Sequence, residues 1–203
     1  MAKVSDIRSR VYSALELNEA DTLPATVDGW IGRAIADLSE PLLGHPVFAD
    51  VFRGVTATET KDVDANNRIE YPANCLRILP SGNVNGRPIK RIVPKGAPIV
   101  QDEFFRASSL EPWLRVMTAV SDEITREDTH YLQVQPRVFQ KTKATLVYLK
   151  VPTADTVIGD EVADAVTYEA ARIGATENGD LLKLEIVGKL FAEAMARIGI
   201  ANR

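Results

Sequence analysis

Across residues 54–152, short runs rich in β-branched and aromatic residues alternate with Pro, Gly and Asn, whereas the flanking segments repeat apolar residues at spacings of three and four. This switch from helical to strand-like period and back constrains the fold more than any single motif, because each period buries only its own kind of face. The flanks must pack as helices and the middle as sheet. The fold class this predicts is α+β: a helical bundle formed by N- and C-terminal helix pairs, with a β-rich middle insertion. The expected division is 1–53 for the N-terminal helical part, 54–152 for the insertion and 153–203 for the C-terminal helical part.

Val4, Ile7, Val11, Ala14 and Leu15 form the first helical stripe, with Ser5 or Asp6 placed to cap its start. Val27, Trp30, Ile31, Ala34, Ile35 and Leu38 form a second, in a helix that begins near Pro24 and ends at Glu40-Pro41. Past the insertion, Asp160-Glu161 suits a helix N-terminus, Asn178-Gly179 a stop and Asp180 a fresh cap. The last helix, 181–198, carries two stripes: Leu184, Val187, Phe191, Met195 and Ile198, and then Leu182, Ile186 and Leu190. A helix apolar on two sides needs covering twice, by its own domain and by a neighbouring subunit. Trp30, Ile31, Ile35, Val187 and Phe191 are expected to share one core.

Within the insertion, Arg68-Ile69-Glu70-Tyr71-Pro72 and Leu76-Arg77-Ile78-Leu79-Pro80 read as strands bounded by prolines. Asn83-Val84-Asn85-Gly86 is a hairpin signal, with 87–93 as the returning strand. Segments 113–120, 130–135 and 144–151 read as further strands; Leu146-Val147-Tyr148-Leu149 lacks polar alternation and is expected to be the most buried. Residues 99–106 suit a short helix.

Composition narrows the function classes. The 203 residues are 45% hydrophobic and 26% charged, ordinary for a globular chain and enough for one core. No apolar run approaches the roughly 18–20 residues a membrane span requires. Met1-Ala2-Lys3-Val4-Ser5-Asp6 leads straight into charged sequence, so no secretory signal is expected. Cys75 is the single cysteine, which excludes an intramolecular disulfide, and with His45 and His130 it is too little for a thiolate or imidazole metal cage. Net charge is −4 but unevenly spread: −4 over 1–60, +4 over 61–150 and −4 over 151–203.

None of the candidate residues falls into a catalytic pattern. His45 stands in a Gly44-His45-Pro46 turn, His130 reads as a half-buried strand residue and Cys75 as a small buried hydrophobe. Asp102-Glu103, Asp122-Glu123 and Glu127-Asp128 are neighbours in sequence, whereas two-metal and glycosidase chemistry needs carboxylates converging from separate elements. Gly82-Asn83-Val84-Asn85-Gly86-Arg87 lacks the Gly-Lys-Ser/Thr and the following helix of a phosphate loop. No catalytic residue, cofactor or metal is expected.

Two basic stretches stand out: Arg87, Lys90, Arg91 and Lys95, and then Arg137, Lys141, Lys143 and Lys150. Clustered cations can neutralise phosphates. The negative total and the absence of aromatics interleaved for stacking favour an acidic neighbour instead. Expected subunit or partner contacts are Arg87, Lys90, Arg91, Lys95, Met195, Ile198 and Ile200.

The order of these pieces resembles the head-to-tail adaptor (head-completion or connector) proteins of tailed bacteriophages. The similarity runs through Val27-Asp28-Gly29-Trp30-Ile31-Gly32-Arg33-Ala34-Ile35, the proline-led strand Tyr71-Pro72-Ala73-Asn74-Cys75-Leu76-Arg77-Ile78 and the turn Val84-Asn85-Gly86-Arg87-Pro88-Ile89. It continues in Thr129-His130-Tyr131-Leu132-Gln133-Val134-Gln135-Pro136, Leu146-Val147-Tyr148-Leu149-Lys150-Val151-Pro152 and two closing helices. It implies a non-enzymatic structural protein of the virion neck, present in the host cytoplasm during assembly, with about a dozen copies in a homo-oligomeric ring. The implied partners are the portal protein and tail or stopper proteins, with DNA passing through without sequence-specific binding and no membrane involved. One departure is that only 199–203 follow the last helix, where many adaptors extend a long arm into the portal. The competing readings are a small enzyme with its site between bundle and β region, and a nucleic-acid-binding module using the basic β face.

Overall fold

The structure is a computed structural model that describes residues 1–42, 52–93, 110–120, 128–136 and 142–199. The fold is mixed α+β. In chain order its elements are β1 (Ala2–Lys3), α1 (Val4–Leu15), α2 (Pro24–Leu42), β2 (Thr56–Asp62), β3 (Arg68–Glu70), β4 (Cys75–Val84), β5 (Arg87–Pro88), β6 (Arg91–Val93), β7 (Trp113–Val120), β8 (Asp128–Gln135), β9 (Lys143–Lys150), β10 (Val157–Ile158), α3 (Asp160–Asn178) and α4 (Leu181–Arg197). They fall into two compact units, Met1–Thr56 with Lys150–Arg203, and Ala57–Leu149. The short helix expected at 99–106 lies outside the described residues.

In the helical unit α3 is the hub, and α1, α2 and α4 all pack against it. Its small residues permit this: Ala163, Ala165, Ala170, Ala171 and Ala175 are buried, so neighbouring backbones approach closely. The α2 stripe lies inward as its spacing requires, with Val27, Ile31, Ala34 and Ile35 fully buried and Trp30 nearly so. Trp30 lies against Gly174, where an added Cβ would stand 2.7 Å from the indole Cζ3 and 2.9 Å from Leu15 Cδ1. The Trp30 indole N–H donates to Glu177 Oε2 at 2.6 Å, and Arg33 donates to Oε1 of the same carboxylate at 2.6 Å. Arg8 forks onto both oxygens of Asp28 at 2.7 Å, joining α1 to α2. That contact raises the arginine's pKa.

Three features of this unit differ from expectation. Helix α2 continues through Pro41 to Leu42, because Leu42 is fully buried and carries the apolar stripe one turn further. A small sheet, β1 against β10, places Ala2 opposite Ile158 and Lys3 opposite Val157, followed by Val4 N–H to the Thr156 carbonyl at 2.9 Å. Helix α1 starts earlier than expected, at Val4 after Lys3, with Asp6 accepting from the Lys3 amide from inside the first turn. The junction of α3 and α4, in contrast, follows the residues foreseen for it. Gly179 caps α3 with φ 69°, and the Asp180 side chain accepts from the Lys183 amide at the start of α4.

The β-rich unit holds two four-stranded sheets, in the orders β2-β9-β4-β5 and β3-β8-β7-β6. Ile69, Ile78, Val84, Ile89, Leu114, Leu132, Val134, Ala144 and Leu146 form one core drawn from both sheets. The β4–β5 hairpin turns on Asn85 (φ 50°) and Gly86 (φ 76°), the double positive φ of a type I′ turn. Strand β4 runs on through Pro80 to Val84, longer than the proline-bounded run suggests. Segment 87–93 is not one returning strand. Ile89, just past β5, donates to the Gly82 carbonyl of β4 in the first sheet. Lys90 donates to the Pro112 carbonyl, and Arg91–Val93 then pairs in parallel with Trp113–Arg115 in the second sheet.

Candidate functional site

The basic residues predicted to act together are separated by this change of sheet. Arg87 stands exposed at the end of the β4–β5 hairpin. Lys90 reaches Glu111 Oε1 at 3.2 Å in an exposed ion pair within the chain. Arg91 lies over the Trp113 ring, 5.6 Å from guanidinium carbon to ring centroid. The aromatic partner missing from the linear sequence is supplied by the adjacent strand. Lys95, Arg137, Lys141 and Ile200 lie outside the described residues, as do His45, Asp102-Glu103 and Asp122-Glu123.

On α4 the two predicted stripes have different environments. Val187, Ala194 and Met195 are buried against their own unit, whereas Leu184, Phe191 and Ile198 are half-buried. Phe191 therefore sits at the margin of the core, with the Arg172 guanidinium 6.0 Å from its ring centroid. Arg172 in turn pairs with both oxygens of Glu169, a carboxylate buried within α3, at 2.7 and 2.6 Å. On the opposite side Leu182 is 70% and Ile186 51% exposed, and Leu181 is 78% exposed beside them. The apolar side chains of α4 that stand in solvent are Leu182 and Ile186 of the second stripe, with Leu181, rather than Met195; Leu190, the third member of that stripe, is half-buried.

Between the start of α3 and the end of α4 lies a groove of about 340 Å³ lined by Asp160, Glu161, Asp164, Ala194, Arg197 and Ile198. Arg197 Nη1 lies 3.4 Å and Arg10 Nη1 3.3 Å from Asp164, and the Met1 amine contacts Asp160. Asp160 and Asp164 are thus paired with cations, while Glu161 lines the groove as an exposed carboxylate.

Nucleophile chemistry finds little support in the β-rich unit. Cys75 is half-buried, and burial pushes its thiol up to about 11, away from the thiolate that reactivity needs. Burial likewise raises the Tyr71 phenol, which hydrogen-bonds with Cys75. His130, expected half-buried, is exposed; its ring meets Tyr71 edge-on at 6.0 Å. Among the described residues no group of three or more His, Cys, Asp and Glu is placed to hold a metal ion. Among them, too, no helix is long and apolar enough to cross a membrane.

Charge is divided between the units. The helical unit contains 11 basic and 17 acidic residues, net −6, and the β-rich unit 13 and 11, net +2. What the arrangement offers is surface: an apolar helix face on an acidic unit, and arginines on a basic one. No family model matches the chain, and no curated protein matches it.

Proposed function

We propose that the chain is a structural ring subunit of a phage neck, a head-to-tail adaptor that joins portal to tail and contributes to the DNA channel. In this reading it is not an enzyme. The N- and C-terminal helix pairs work as one bundle from which the β-rich insertion extends. About twelve copies close a ring. It acts in the virion neck and is present in the host cytoplasm during assembly.

The observation that carries the reading is the solvent face of α4. Leu181, Leu182 and Ile186 stand exposed on a helix whose other side is already buried, the arrangement expected of a subunit awaiting a neighbour. The division of charge supports it: an acidic helical unit on one copy complements the basic β-rich unit, including Arg87, Lys90 and Arg91, of the next. A head-to-tail contact of this kind closes when the rotation per subunit divides a full turn.

The test is the mass of the full chain by light scattering and native mass spectrometry, alone and with portal. A closed ring is expected in at least one of the two conditions. A monomer in both, at every concentration, rejects the adaptor reading.

A further inference from the structure

We propose that the outer face of the β3-β8-β7-β6 sheet binds the phosphate backbone of nucleic acid, with Arg68 and Arg91 as its principal contacts. Strand alternation defines this face. Ile69, Leu114, Leu132 and Val134 enter the core, so their neighbours Arg68, Trp113, Arg115, Tyr131, Gln133 and Gln135 occupy the other side of the sheet. Pairing register aligns them in rows. Arg68 lies opposite Gln133, which lies opposite Arg115; Gln135 lies opposite Trp113, which lies opposite Arg91. Arg68 and Arg91 are on the two outer strands, three strand spacings across and two residues along, roughly 16 Å apart.

Each of these two arginines is stacked on a ring. Arg68 lies 4.5 Å from the Tyr131 centroid and Arg91 5.6 Å from that of Trp113. Stacking fixes the guanidinium plane and leaves its N–H edges free to donate in a fork, the geometry that matches phosphate oxygens. Both residues are exposed, and among the described residues neither forms an ion pair. Glu70, the acid on this face, is held by Lys61 at 3.1 Å. Trp113 is only 8% exposed and Tyr131 is half-buried, so bases have no free aromatic platform. Contact is with the backbone and tolerant of sequence. A regularly repeated phosphate charge fits two separated forks on one sheet face better than the scattered carboxylates of a folded protein. Arg91 is shared with the Arg87, Lys90 and Arg91 set offered to a neighbouring copy, whereas Arg68 is not, so binding that is lost on Arg68→Gln alone is independent of ring formation.

The test is fluorescence anisotropy of the full chain with a labelled oligothymidine and a labelled duplex, each of about thirty nucleotides or base pairs, between roughly 50 and 200 mM salt. Binding that weakens as salt rises is expected, and comparing the two probes shows which strand form is preferred. Arg68→Gln with Arg91→Gln should weaken binding about tenfold or more and reduce the salt slope by about two. Arg68→Lys with Arg91→Lys, which keeps charge but loses the fork, should bind several-fold more weakly than the native chain; it carries the test if the Gln pair fails to fold by circular dichroism. The proposal is overturned if neither probe binds at low salt, if the folded Gln pair or the Lys pair binds like the native chain, or if labelled polyglutamate binds more tightly than both oligonucleotides.

Discussion

At the scale of single residues the most informative group is Glu177, whose carboxylate receives both Arg33 and the Trp30 indole. Arg33, and then the indole N–H, hold its pKa below the ordinary glutamate range. Because the folded-state value lies below the unfolded one, near 4.3, the contact contributes fully above that pH and is lost as pH falls through the lower folded value. Trp30 emission in a Trp113→Phe background should therefore show an acid transition with its midpoint below about 4.3. Glu177→Gln should remove that transition; an unchanged titration would refute the linkage. The other side of the same indole tests packing. Gly174→Ala brings a methyl within 2.7 Å of Cζ3, which should cost about 1–3 kcal/mol in chemical denaturation. Trp30→Ala alone should cost about 3–5 kcal/mol, since the ring is 2% exposed. Combining the two should cost less than their sum, because the alanine methyl then occupies space the indole has left.

At the scale of elements, legibility followed the range of the interactions. Helix α2 could be read from its own residues, because one unbroken stripe and a proline at its start are local signals. The α3 stop at Gly179 and the α4 cap at Asp180 were equally local, as was the Asn85-Gly86 turn. Arg87–Val93 differs from a single returning strand because the change of sheet after Ile89 depends on the Pro112 carbonyl and on pairing with Trp113–Arg115, both distant in sequence. For the same reason β1 and β10 gave no signal, being two residues each and paired across most of the chain. The Arg–aromatic face was hidden similarly: Arg91 and Trp113 meet only through a parallel pairing, and Arg68 reaches Tyr131 across β3 and β8. The turn gives a direct check of what was legible. Gly86→Ala should destabilise the chain by about 1–2 kcal/mol, because its φ of 76° suits glycine alone. Asn85→Gly should change stability far less, and equal losses at the two positions would contradict the type I′ assignment.

At the scale of the whole molecule the question is what covers α4. Burying an apolar side chain contributes roughly 1.5–3 kcal/mol, so exposed Leu181, Leu182 and Ile186 together could supply much of a contact between copies. Charge would add steering and register rather than bulk affinity, and the structure apportions it unequally. Lys90 already pairs with Glu111, so Arg87 and Arg91 carry most of the complementarity available to an acidic neighbour. Reversing Arg87, Lys90 and Arg91 together should weaken assembly in a way that resembles added salt, since exposed charges are screened over about 8–10 Å. Leu182→Glu with Ile186→Glu should behave differently: a loss of assembly that persists at high salt, where screening removes repulsion but cannot restore apolar burial. Both variants should keep the native circular dichroism spectrum, because Arg87, Lys90, Arg91, Leu182 and Ile186 are all exposed. Sedimentation velocity at two salt concentrations, with and without portal, separates these effects. Normal rings from the Leu182 and Ile186 variant would mean that the solvent face of α4 is not the seam between copies, and the adaptor reading would lose the observation on which it rests.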